Sequence, residues 1–251
     1  MGSVAHLWRH PIKSHGREAL KAVTLAAGQT MPWDRVWAVT HEASKFDSAN
    51  PAWVACQNFM LGTRTPALAG LWAKLDEATA TITLTHVDLG SMTFAPDDAA
   101  DAARFLDWVA PLCPPDRAQP AAIAKVPGRG MTDTNFPSVS IMTHASHDAV
   151  AQQLGQDIAP ERWRGNIWLD GVAAWEELDW IGATIRVGGT TIAIREPIVR
   201  CLHTASNPQT GRRDADTLGA LKSGWGHQNF GVYGEVIAGG DIRIGDKIEV
   251  L

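Results

Sequence analysis

Cysteine is scarce, with three residues in 251, at positions 56, 113 and 201. The number is odd, the positions are far apart and no CxxC pair occurs. This excludes a disulfide scaffold, a thiolate zinc site and a sequence-local set of iron–sulfur ligands. Free thiols fit a reducing, cytoplasmic setting. No apolar run approaches the roughly 18 residues of a membrane-spanning helix. The start, Met1-Gly2-Ser3-Val4-Ala5-His6-Leu7, lacks the basic-then-apolar order of a signal peptide, and His6 occupies the Ser/Thr position of a myristoylation motif. Positive charge is not in excess either. With 22 basic and 27 acidic side chains the net charge is −5, and a dedicated nucleic-acid binder needs a concentrated basic surface. The expectation is a soluble protein with neither nucleic acid nor membrane as partner. There is no P-loop, no GxGxxG after a strand, no GxSxG elbow and no HExxH, which removes the generic nucleotide, hydrolase and zinc-protease readings.

What is present is an ordinary globular composition, 45% hydrophobic and 20% charged, in a chain long enough for one large or two small domains. The first forty residues are β-rich, with apolar runs at 20–25 and 36–40. Thr79 to His86 alternates Ile82 and Leu84 with threonines, the period of a half-buried strand. A helix is predicted from Pro96 to Val109, with Asp97, Asp98 and Asp101 near its positive end, and another from Ala145 to Leu154, stopped by Gly155. Five prolines and two glycines between Pro111 and Gly130 mark a linker, which divides the chain into 1–120 and 121–251. Ile185 to Ile194 reads as a hairpin about Gly188-Gly189, and Val232 to Val250 as a glycine-punctuated meander. The fold class is therefore mainly β with some α, and so many short strands imply a closed or nearly closed barrel.

Four loops place cationic or amide donors beside turn residues: His10 to Ser14, Trp33 to Arg35, Arg162 to Asn166, and Glu196 to Cys201. Together they could build one anion pocket in an otherwise acidic chain, whereas any one alone reads as a surface salt bridge. Arg200 sets a positive charge beside Cys201, the setting in which a sulfur serves as nucleophile or soft-metal ligand. Cys56 and Cys113 read as small hydrophobes. His144 and His147, three apart, are compatible with a metal but fit a helix start better. Trp163, Trp168, Trp175 and Trp180 read as packing.

These residues resemble the MOSC superfamily, named for the C-terminal domain of molybdenum-cofactor sulfurase, preceded by the smaller β-rich domain found in amidoxime-reducing proteins and their bacterial relatives. The resemblance rests on Pro11-Ile12-Lys13-Ser14, Asp34-Arg35 with Trp37, Ser140-Ile141-Met142-Thr143, and Pro160 to Ile167. It continues through Glu196 to Cys201 with Thr204, Asn207-Pro208-Gln209-Thr210-Gly211 with Asp214, Gly226-His227, Phe230 to Tyr233, and Gly245-Asp246. It covers nearly the whole chain in the family's order. Met31-Pro32-Trp33 and His15 depart from the usual pattern.

The resemblance implies a MOSC β-barrel plus a smaller N-terminal β-rich domain, with a molybdenum cofactor (molybdopterin) in the cleft between them. Cys201 is then the protein ligand to molybdenum and the catalytic centre. Lys13, Ser14, Arg35, Arg164, Asn166 and Arg200 hold the phosphate and pterin edge, with Thr143, Thr204 and Asn207 as pocket wall. The implied activity is an oxidoreductase acting on small N-oxygenated or N-hydroxylated compounds. Its electrons come from a separate donor protein of ferredoxin, flavin or cytochrome type. The alternative is a cofactor carrier or sulfur-transfer protein with a persulfide on Cys201. The pyridoxal-phosphate domain of the sulfurases and the ferredoxin domain of other relatives are not expected in 251 residues.

Overall fold

Strands form where apolar residues alternate between short polar turns, and in this chain they far outnumber helices. A computed structural model describes residues 2–251. It begins with β1 (Ser3–Arg9), β2 (Glu18–Leu20), β3 (Ala22–Leu25) and β4 (Trp37–His41). Next come β5 (Trp72–Asp76), β6 (Thr81–His86), β7 (Gly90–Phe94), helix α1 (Ala99–Val109) and β8 (Pro120–Lys125). The chain continues through β9 (Val139–Thr143), α2 (His144–Leu154), β10 (Ile167–Asp170), α3 (Glu176–Asp179), β11 (Thr184–Val187) and β12 (Thr190–Val199). It ends with α4 (Thr217–Trp225), β13 (Asn229–Ala238), β14 (Gly240–Arg243) and β15 (Ile248–Val250).

Eight strands make one sheet in the order β15-β11-β12-β13-β9-β10-β1-β2, with β9 and β10 parallel. The sheet curls onto itself. Val4 N donates to Asp246 O at 2.8 Å, Gly245 N to Val4 O at 2.8 Å and Ile248 N to Gly2 O at 3.1 Å. The start of β1 thus meets the segment leading into β15, and the barrel closes there. Val4, Leu7, Val139, Ile141, Ile167, Leu169, Ile185, Ile192 and Val232 fill its interior, each at most 1% exposed. Burying side chains of this size contributes about 1.5–3 kcal/mol apiece.

The N-terminal half builds a second core. β6 turns Ile82 and Leu84 inward, while outside Thr83 and Thr93 share a 2.8 Å hydroxyl contact across the β6–β7 pair. Phe94 stacks on Phe105 of α1 with ring centroids 4.4 Å apart. Asp98 caps α1 by accepting from Ala100 N and Asp101 N, so the helix begins three residues after the proline that signals it. Thr143 caps α2, and Gly155 ends it in the left-handed conformation.

Pairing over long sequence distances corrects two expectations and ties the two halves together. The proline-rich stretch 111–130 is not merely a linker: it contains β8, which pairs with β4 from Trp37↔Lys125 to His41↔Pro120. Strand pairing also crosses residue 120, since β1 and β2 complete the barrel of the second half and β3 pairs with β14. Without β1 the barrel lacks the strand that closes it. Finally, the last three strands are not mutual neighbours. β13 lies between β12 and β9, β14 joins β3, and β15 joins β11. Among the described residues, no helix is long and apolar enough to cross a membrane.

Candidate functional site

Three of the four segments singled out by composition are turns, whereas Glu196–Val199, expected as a loop, is the end of β12 paired with β13. Ser14, Arg35 and Arg164 have φ of 64°, 54° and 53°, a region that residues with side chains rarely adopt at a cost of about 1–3 kcal/mol each. Backbone bonds stitch the turns together. Lys13 N donates to Trp37 O at 2.7 Å, Arg35 N to His10 O at 2.7 Å and Met131 N to Arg35 O at 2.8 Å. Asp34, fully buried, accepts from His10 N at 2.8 Å and pairs with the Arg35 guanidinium. Burial pushes its carboxyl up, but Arg35 and the bonds from His10 outweigh this and hold it well below the usual carboxylate range.

A cavity of about 700 Å³ opens between the two halves. Lys13, Ser14, Arg35, Arg164, Arg200, Cys201 and Thr204 line it, so the structure brings seven of the ten expected residues together. Its ionic lining comprises Lys13, Arg35, Arg64, Arg162, Arg164 and Arg200 against Asp133 and Glu196, that is 6 − 2 = +4 in a chain of net charge −5. A concave wall with a surplus of positive charge draws in an anion.

Each cation is held differently. Lys13 Nζ donates to Met131 O at 2.8 Å and to Asp133 Oδ1 at 2.5 Å. Arg200 spends its N–H groups on Phe230 O at 2.6 and 2.8 Å and Trp163 O at 2.8 Å, so it anchors walls and offers mainly charge. Arg164 Nη1 donates to Gly16 O at 3.1 Å, whereas its buried Nη2 has no partner among the described residues. Burial first, then repulsion by Arg35 and Arg17, lowers the Arg164 pKa to about 9. Cys201 is exposed, and its Sγ accepts from Thr63 Oγ1 at 3.2 Å. The His203 imidazole, also lining the cavity, is kept neutral: burial, then Arg164 and Arg17, lower its pKa to about 3.

Three expected residues lie outside the cavity, each engaged with backbone. Thr143 is the cap of α2 and also bonds Glu177 Oε2 at 3.3 Å. Asn207 folds its own loop, accepting from Gln209 N at 2.8 Å and Thr210 N at 3.2 Å. Asn166, 1% exposed, rivets β1 and β9 to its own loop: Oδ1 accepts from Ser140 N and Oγ, and Nδ2 donates to Trp8 O at 3.2 Å. Asn166→Ala strands these partners and is expected to lower unfolding free energy by about 3 kcal/mol in denaturant titration. Loss of cofactor affinity with unchanged stability would return Asn166 to the pocket.

Sequence reasoning missed Cys56, the Leu61–Arg64 loop, Asp133, His203 and Tyr233, all on the cavity wall. Cys56, read as inert packing, shares the cavity with Cys201, and burial pushes its thiol pKa up. Asp133 is raised by burial but held below its ordinary value by Lys13 and Arg35. Tyr233, the only tyrosine, carried a signal in its rarity. The two histidines weighed as metal ligands have other partners: His144 Nδ1 contacts Asp170 at 2.7 Å, and His147 Nδ1 accepts from Trp163 Nε1 at 2.9 Å. Trp163 and Trp168 are packed as expected, and Trp163 lines the cavity as well.

Buried imidazoles give the fold an acid limit. Burial lowers the pKa of both His15 and His147 to about 4. Their stabilisation is complete above the unfolded value near 6.5 and is lost as pH falls toward 4, at about 1.4 kcal/mol per pH unit for each. Unfolding free energies measured between pH 7 and 5 should fall accordingly; a flat profile would contradict buried neutral rings.

A family model for the MOSC N-terminal beta barrel domain matches residues 1–110, and one for the MOSC domain matches residues 132–249. A search of curated proteins finds no match. Among solved structures, the YuaD protein from Bacillus subtilis is similar at 15% identity and TM-score 0.50, over 100% of this chain and 96% of that one. YiiM from Geobacillus stearothermophilus is 17% identical with TM-score 0.35, over 45% of this chain and 53% of that one. Joined in one fold with a cation-lined cavity between the matched regions, these segments show that the chain belongs to the MOSC family and carries that family's N-terminal beta barrel domain.

Proposed function

We propose that the chain binds a pterin molybdenum cofactor in this cavity and reduces small N-oxygenated or N-hydroxylated compounds, with electrons from a separate redox protein. MOSC domains are associated with molybdenum-cofactor binding. The observation that carries the reading is a soft sulfur donor, Cys201, exposed in a cavity with a surplus of cations, where the buried Arg164 Nη2 has no partner among the described residues. A buried unpaired donor is costly in a protein alone and fits a ligand that brings phosphate oxygens.

Cys201 would ligate the metal, and Lys13, Ser14, Arg35 and Arg164 would hold the phosphate and pterin edge. When bound, the cofactor supplies a two-electron reservoir and a Lewis acid. The chain's own residues then orient and charge-balance. Asp34 fixes the Arg35 fork, and Arg162, bonded to Thr204 O at 2.9 Å and paired with Asp214, fixes the loop after Cys201. Reduction of an N–OH group consumes two electrons and two protons and releases water. Cys201 is exposed, so solvent would supply those protons.

The test is metal and pterin analysis of protein made in a molybdenum-replete host, followed by amidoxime and N-hydroxylated-base reduction with a chemical reductant. Stoichiometric molybdenum with turnover supports the reading. A persulfide on Cys201 without molybdenum supports the carrier role in its place.

A further inference from the structure

We infer that Thr63 tunes the Cys201 sulfur, as a hydroxyl supplied by the N-terminal half to a ligand on the C-terminal half. The inference rests on the molybdenum-binding reading and adds a residue outside the set of cations expected to hold the cofactor. Cys201 lies just before a short helical turn, Leu202–Ala205, and its Sγ accepts from Thr63 Oγ1 at 3.2 Å across 138 residues of sequence.

The hydroxyl is delivered by a loop fixed at several points. Arg64 N and Thr65 N both donate to Leu61 O, at 3.0 and 2.9 Å, closing a tight turn. Arg213 Nη2 donates to Thr63 O at 2.7 Å, so the cysteine-bearing half grips the same residue. Gly62 lies flat on the His203 ring: a Cβ there would sit 1.7 Å from Nδ1, so a larger residue would lift the loop off the cysteine. These bonds hold the Thr63 backbone at the position from which its hydroxyl reaches the sulfur.

A hydrogen bond to a ligating thiolate draws electron density from sulfur. Donation to the metal weakens, the reduced metal is favoured, and sulfur-to-metal charge transfer moves to higher energy. Thr63→Val keeps the shape and removes the donor, whereas Thr63→Ser keeps the donor and trims a methyl. Both variants are compared with wild type in molybdenum content, visible absorption and reduction potential. In Thr63→Val the expected result is unchanged molybdenum content, a lower potential and a charge-transfer band at longer wavelength, with Thr63→Ser restoring both. A purely structural residue would change content or stability and leave the potential alone. Molybdenum present with wild-type potential and band in Thr63→Val, or no rescue by Thr63→Ser, overturns this inference alone. Wild-type protein devoid of molybdenum overturns the cofactor reading and this inference together.

Discussion

Cys201→Ser protein should reduce N-hydroxylated substrates at least about 100-fold more slowly than wild type, because an oxygen ligand donates far less charge to the metal than a thiolate and shifts the potential at which it exchanges electrons. Two consequences separate this from general damage. Cys201 is exposed and its sulfur accepts from the Thr63 hydroxyl, so the melting temperature should stay near wild type, as for surface substitutions worth under about 0.5 kcal/mol. The metal's absorption should change as well, since one sulfur leaves its ligand set. Cys56 shares the cavity, but burial pushes its thiol toward the neutral form, and Cys56→Ser is expected to retain the spectrum. Full turnover in Cys201→Ser would show that the metal has another anchor.

The barrel was legible because its signals are local. Alternation in β11 and β12 about Gly188-Gly189 fixes a hairpin, and the Asp98 and Gly155 signals bracket α1 and α2 within a few residues. Pairing partners were not legible, since no local feature tells β14 to leave its sequence neighbours for β3, or β8 to cross to β4. The site divides the same way. Lys13, Arg35 and Arg164 stand out as cations in turns, and all reach the cavity. Asn166, Thr143 and Asn207 look like binding groups because they are polar residues inside motifs, yet backbone amides and carbonyls claim them first. The Leu61–Arg64 loop has no unusual composition, and only the fold brings it within 3.2 Å of a cysteine far along the chain.

Arg164→Met should move stability and binding in opposite directions. In the protein alone, Arg164 holds one buried nitrogen without a partner and is repelled by Arg35 and Arg17, while its other terminal nitrogen makes a single bond to Gly16 O. Methionine matches the stem, gives up that bond and removes the unpaired cation. Replacing a poorly paired buried charge by an apolar side chain commonly stabilises by about 1 kcal/mol or more. The cofactor-free variant should therefore melt slightly above wild type. Cofactor binding should suffer heavily, because each charge-assisted bond to phosphate is worth about 1.5–3 kcal/mol, or roughly ten- to more than a hundredfold in affinity. Molybdenum and pterin content of the purified variant measure the second effect, and thermal melts of both metal-free proteins the first. A variant that loses stability together with the cofactor would mean that Arg164 serves the fold and that its unpaired nitrogen carries no memory of an anion. If stability rises and occupancy collapses, the strain at this arginine is there for the ligand, which is the physical content of calling the cavity a cofactor site.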